Sequence, residues 1–112
     1  IKKKMTNILI LGLSYKKDID DIRESPAKEI LNLLSQKEHL KISYNDDYIR
    51  KIRINKKIFK TKNITNYKIL NKFDFIIILT DHTYYKKINF KKVTTKIIDT
   101  RNFINSKNLI RI

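Results

Sequence analysis

The sequence predicts a single α/β domain over residues 1–112, with helices packed on a mainly parallel sheet of about four or five strands. Three observations lead there. Short apolar runs such as "NILILGL" and "FIIILTD" lack polar alternation, the pattern of strands covered on both faces. Helical signals fall between these runs, which favours crossover connections and parallel pairing. The length of 112 residues, with 41% hydrophobic and 33% charged residues, suits one modest core.

The elements follow in order. Residues 7–13, "NILILGL", are the first strand. In "SPAKEILNLLSQ", Ser25 is positioned as N-cap and Pro26 as the first helical residue. Ala27, Ile30, Leu31 and Leu34 then repeat at the spacing of one helix face. "LKISYND" (40–46) reads as a second strand, and the polar, Lys-rich residues 47–63 as a surface excursion. A short helix is expected over 64–74, a strand over 75–81, and a helical turn or two within 84–95. "KIIDTRN" (96–102) is a fourth strand and "NLIRI" (108–112) a final edge strand.

Composition narrows the function. With no cysteine, the chain has no disulfide, thiolate metal site or cysteine nucleophile. No apolar run reaches the roughly 18–20 residues of a membrane span. "IKKKMTNILIL" has a basic start but lacks a signal peptide's length and cleavage site, so a globular, cytoplasmic domain is expected. The chain begins with Ile rather than Met, which suggests a piece cut from something longer. A net charge of +15 favours phosphate-bearing partners. Yet the basic residues are scattered through an Ile-, Lys- and Asn-rich background, which weighs against a dedicated nucleic-acid face. A basic α/β nucleic-acid module stays as the alternative, with a truncated remnant that no longer binds as a third reading.

Ligands of open α/β sheets gather beyond the carboxyl ends of the strands. Here those ends carry Ser14-Tyr15-Lys16, Asn45-Asp46, Thr80-Asp81-His82 and Asp99-Thr100-Arg101. The first connection, Ser14 to Glu24, is eleven residues long and highly charged, where such loops usually run roughly 2–6. Gly12 is the single glycine, so a glycine-rich phosphate cradle is impossible and Gly12 reads as a turn at a strand end. Asp46 could accept from a ribose hydroxyl, but "NDD" reads more readily as a turn. Asp18, Asp20 and Asp21 lack calcium-loop spacing and are read as solvated or paired with Lys or Arg. His39 and His82 have no partner at metal spacing and are given surface or capping roles. Lys16, Arg23 and Arg101 could form a phosphate-binding cluster, or could equally pair with neighbouring carboxylates.

"GLSYKKDIDDIRESPA" resembles the opening signature of the C-terminal domain of UDP-glucose/GDP-mannose dehydrogenases. "YNDDYI" is similar to that family's Asp-Pro-Tyr segment, "ILTDH" to a later strand end, and "IIDTRN" to its closing Asp-Thr-Arg-Asn. The likeness runs over about residues 6–103, and its wording is most similar to the UDP-N-acetylhexosamine 6-dehydrogenase branch. Asp47 departs from it, standing where proline is common.

The resemblance implies a small Rossmann-like, three-layer domain that binds the UDP-sugar substrate. The full enzyme it implies also has an N-terminal NAD domain and a central helical dimerisation region, both absent from this chain. Such an enzyme oxidises the C6 hydroxymethyl of a UDP-sugar to a carboxylate in two NAD-dependent steps, through a cysteine thiohemiacetal. Lacking that cysteine, the 112-residue chain is expected to be inactive alone. By motif position, Tyr15, Lys16 and Arg101 match substrate-side residues, and Arg23 matches an arginine directed across the cleft toward NAD.

Overall fold

The computed structural model describes residues 4–104 and 109–110. β1 (Thr6–Leu11), β2 (Leu40–Asn45), β5 (Phe75–Ile78), β6 (Lys96–Asp99) and β7 (Leu109–Ile110) form one five-stranded sheet in the order β2-β1-β5-β6-β7. All four pairings are parallel. The chain leaves β1 in one direction to make β2 and returns past it to make β5, so the winding reverses between β1 and β5. In doubly wound sheets that switch point opens the crevice that takes ligands. Only Leu109–Ile110 of the expected final strand is described, at the sheet edge; the rest of 108–112 lies outside the described residues.

β1 is buried on both faces, as its unbroken apolar run requires. Ile8 and Ile10 point to one cluster, with Ala27, Leu31, Ile42 and Tyr44. Leu9 and Leu11 point to the other, with Leu70, Ile76, Ile78, Tyr85 and Ile97. The first face is covered by α1 (Ala27–Ser35) and a hairpin, the second by α2 (Tyr67–Leu70) and two 3₁₀ turns, Thr83–Lys87 and Phe90–Lys92. The three-layer α/β architecture therefore stands.

The N-cap position of α1 falls on Pro26, one residue later than the sequence indicates, and Ser25 stands just before it. Its hydroxyl accepts from Ala27 N–H (3.2 Å) while donating to the Leu13 carbonyl (2.8 Å), which ties the helix start to the end of β1. Pro26 N-terminally adjoins Ala27 in helical conformation, and its carbonyl accepts from Ile30 N–H (3.1 Å).

Two expectations need correction. Residues 47–63 are not a plain surface excursion: β3 (Lys51–Ile54) and β4 (Lys57–Lys60) pair antiparallel. Ile52, Ile54 and Phe59 alternate inward onto the α1 face, while the lysines and Arg53 point outward. Asn55 makes the turn at φ 57°, without the Asn-Gly pair that usually announces one. The helix expected over 64–74 is a single turn. Asn66 opens it by accepting from Lys68 N–H, and Asn71 ends it by accepting from Thr94 N–H and donating to the Lys92 carbonyl.

Gly12 has a stricter role than a turn. Its φ is +90°, and a Cβ there would stand 2.3 Å from Thr80 Cβ and 2.7 Å from the Thr80 carbonyl oxygen. Backbone strain and steric overlap then act together, so Gly12→Ala should cost about 2–4 kcal/mol. The check is the urea midpoint of the full chain; an unchanged midpoint would contradict this close packing of β1 on β5.

Candidate functional site

The carboxyl ends of β2, β1 and β5 meet at Asp46, which is fully buried. Its Oδ2 accepts from the backbone N–H groups of Leu13 (2.7 Å) and Ser14 (3.0 Å), from the Ser14 hydroxyl (2.9 Å) and from His82 Nε2 (2.8 Å). Its Oδ1 accepts from Tyr48 N–H (2.9 Å), closing the turn that the sequence suggested. Burial alone would push this carboxyl's pKa up. The hydrogen bonds from His82, Leu13 and Ser14 outweigh that and hold it below the ordinary 3.8.

This geometry answers the ribose question at Asp46. Both oxygens are occupied by the protein's own donors, so the carboxylate is structural. It also occupies the successive N–H groups at the end of the first strand, where dinucleotide folds hold a phosphate. Gly12 beside them is closed by Thr80, whose hydroxyl donates to the Ser14 carbonyl (2.7 Å). The described residues therefore form no dinucleotide cradle, and NAD does not fit at this strand end.

His82 corrects the surface assignment made from sequence, for it is fully buried. Its ring packs against Tyr48 (centroids 4.8 Å apart), Tyr84 (5.5 Å, interplanar 10°) and Tyr85 (5.7 Å). Asp18 N–H donates to Nδ1 at 2.8 Å, so Nδ1 is the acceptor and Nε2 carries the proton directed at Asp46. The hydrogen-bond network thus assigns one neutral tautomer. Burial pushes the Tyr84 and Tyr85 hydroxyls up in pKa; both donate to Asn45, Tyr84 to the side chain and Tyr85 to the backbone carbonyl. His39 is exposed, as expected.

The long first connection is bound at several points. Asp18, at φ 64°, accepts from Thr83 N–H (2.7 Å) and from the Thr83 hydroxyl. These two bonds lower its pKa. Asp18 is therefore an anchor to the β5 side and is not paired with Lys or Arg in the way the sequence reading assumed. Asp21 does pair as expected, accepting from Arg23 at Nε (3.1 Å) and Nη2 (3.0 Å). Tyr15 N–H closes the loop onto the Asp21 carbonyl.

The predicted site residues fall on this same edge. Tyr15 is 39% exposed, and Lys16 Nζ lies 5.7 Å from its ring centroid. Arg101 donates from Nε to the Leu79 carbonyl (2.8 Å) and from Nη2 to the Tyr15 carbonyl (3.4 Å), spanning the ends of β5 and the first loop. Asp99 holds Arg101 there, accepting from the N–H groups of Arg101, Phe103 and Ile104. Arg23 lines a shallow recess with Tyr15, Asp21 and Glu24 but is committed to Asp21 and does not join Arg101. Sequence reading missed His82 and understated Asp46. Their signal was position: each ends a strand that the winding places beside β1.

A doubly wound α/β domain with a polar, cation-bearing edge at its switch point is the class that these features define. Residues 9–111 match the model of the UDP-glucose/GDP-mannose dehydrogenase family, UDP binding domain, and the chain belongs to that family. It is 31% identical to a UDP-N-acetyl-D-mannosamine dehydrogenase of Methanocaldococcus jannaschii, over 94% of this chain and 25% of the relative. It is 30% identical to a UDP-glucose 6-dehydrogenase of Rickettsia prowazekii, over 97% of this chain and 26% of the relative. Among solved structures, a UDP-D-ManNAc dehydrogenase from Pyrococcus horikoshii superposes with a TM-score of 0.72 at 30% identity. That match covers 99% of this chain and 26% of the other. The chain thus spans about a quarter of the length of the curated relatives it matches. Among the described residues no helix is long and apolar enough to cross a membrane.

Asp46 gives two predictions. Asp46→Asn could keep an oxygen for the four donors on Oδ2 only by setting its amide NH₂ against Tyr48 N–H, and it would meet those donors without a charge, at a cost of about 2–4 kcal/mol in urea denaturation. Because the folded pKa lies below 3.8, this carboxylate's contribution is complete above pH 3.8 and is lost as pH falls through the folded value. Urea midpoints taken on acidification below pH 4 should therefore fall more steeply for wild type than for Asp46→Asn. Parallel slopes would contradict a charged Asp46.

Proposed function

We propose that this chain is the UDP-sugar-binding portion of an NAD-dependent nucleotide-sugar 6-dehydrogenase. The observation that carries the reading is Arg101 reaching the Tyr15 carbonyl, which draws the three predicted substrate residues onto one edge. In this reading Lys16 and Arg101 supply charge-assisted donors to the substrate's diphosphate. Arg101 is oriented in advance by its bond to Leu79, which lowers the cost of ordering it on binding. Tyr15, half-exposed beside Lys16, walls the site.

NAD would be held by parts of the enzyme outside this chain, which would also supply the cysteine nucleophile and the dimer contacts. Arg23 would reach toward the cofactor by exchanging its exposed pairing with Asp21, a weakly held partner in water. The full enzyme would work in the cytoplasm and convert the C6 hydroxymethyl of a UDP-hexose or UDP-N-acetylhexosamine to a carboxylate. The 112-residue chain alone would bind and not turn over.

Titration of the chain with UDP, followed by amide NMR, tests this. Shifts are expected at Tyr15, Lys16 and Arg101 by millimolar UDP, and Lys16→Ala should weaken binding roughly tenfold or more. The absence of shifts on this edge would sink the proposal.

A further inference from the structure

Asp46 and Asp18, on either side of the first loop's tip, both meet one buried side chain, His82, that the proposed substrate contacts do not include. We infer that His82 is a positioning residue: it latches the loop carrying Tyr15 and Lys16 into the shape that receives the nucleotide-sugar. The inference rests on the function proposed above and adds to it the residue that shapes the site.

The geometry makes the latch two-sided. Through Nε2, His82 holds Asp46, whose carboxylate in turn fixes Leu13 and Ser14, the two residues immediately before Tyr15. Through Nδ1, it accepts from Asp18 N–H, two residues beyond Lys16. Tyr15 and Lys16 are thus strung between two points held by opposite edges of one imidazole. The ring is fully buried, packed against Tyr48, Tyr84 and Tyr85, and both of its nitrogens are engaged. Asp18 is brought to the imidazole in the φ 64° conformation, and Thr83, the next residue after His82, grips its carboxylate. A polar residue of similar size that satisfied only Asp46 would leave the core intact and the loop loose. An imidazole is suited to do both, because its two nitrogens give a donor and an acceptor on a rigid frame.

The two nitrogens can be separated by substitution. His82→Gln places an amide NH₂ where Nε2 stands and can still serve Asp46, but offers no acceptor at the Nδ1 position. His82→Asn places an oxygen near Nδ1 and cannot reach Asp46. The proposal expects His82→Gln to keep a urea midpoint nearer to wild type than His82→Asn does. In His82→Gln the Asp18 amide should exchange with solvent about tenfold faster, the worth of one hydrogen bond, and UDP should bind about tenfold more weakly. UDP affinity that follows the urea midpoint across both variants would mean a purely structural histidine and would overturn the inference. Wild-type UDP affinity in His82→Gln, despite rapid Asp18 exchange, would overturn it as well. If wild type itself binds no UDP, the functional reading fails, while unchanged or faster Asp18 exchange in His82→Gln still refutes or upholds the latch.

Discussion

A carboxylate taken wholly out of water has to be met by donors, and the edge of this domain is arranged around that requirement at Asp46. No arginine or lysine meets it. Two backbone N–H groups at the end of β1, a serine hydroxyl and a neutral imidazole do so instead. Dipoles fixed by the sheet cost no side-chain ordering at the moment they are used, and they cannot drift as a flexible ammonium can. The consequence spreads along the chain: Leu13 and Ser14 are held, the first loop takes its direction from them, and His82 must be buried to complete the set.

The same carboxylate separates this domain from dinucleotide-binding relatives of its architecture. The place at the first strand end that elsewhere receives a phosphate is filled from within, by the end of the second strand. Any anion must then be met further out, by side chains of the loop and of the segment after β6. In the function proposed above those side chains would be Lys16 and Arg101, and the latter is braced by the Leu79 carbonyl and by the turn that Asp99 organises. On that proposal, phosphate recognition would move from backbone to cationic side chains without a change in fold class.

Much of the fold was legible because burial writes itself into strands. "NILILGL" and "FIIILTD" lack alternation because both faces of β1 and β5 are covered. Ser25 and Pro26 marked a helix start by chemistry that is local. The hairpin was hidden because seven cations between Arg50 and Lys62 drowned a clean alternation of Ile52, Ile54 and Phe59. The positions of Tyr15, Lys16 and Arg101 at strand ends were legible from the same patterning. The burial of His82 was not, since it depends on partners 36 and 64 residues away that only the strand order brings together.

The bond from Arg101 to Tyr15 joins residues 86 apart in the chain. A domain whose edge is closed by such a contact cannot complete that edge from local structure, since the long loop must be closed before the contact forms. During synthesis, when domains are made from the N-terminus onward, the loop with Tyr15 and Lys16 emerges early and waits for Asp46, then His82, then Arg101. That edge is therefore completed only once Arg101 has been made, and a chain halted before β6 carries the first loop without the arginine that braces it.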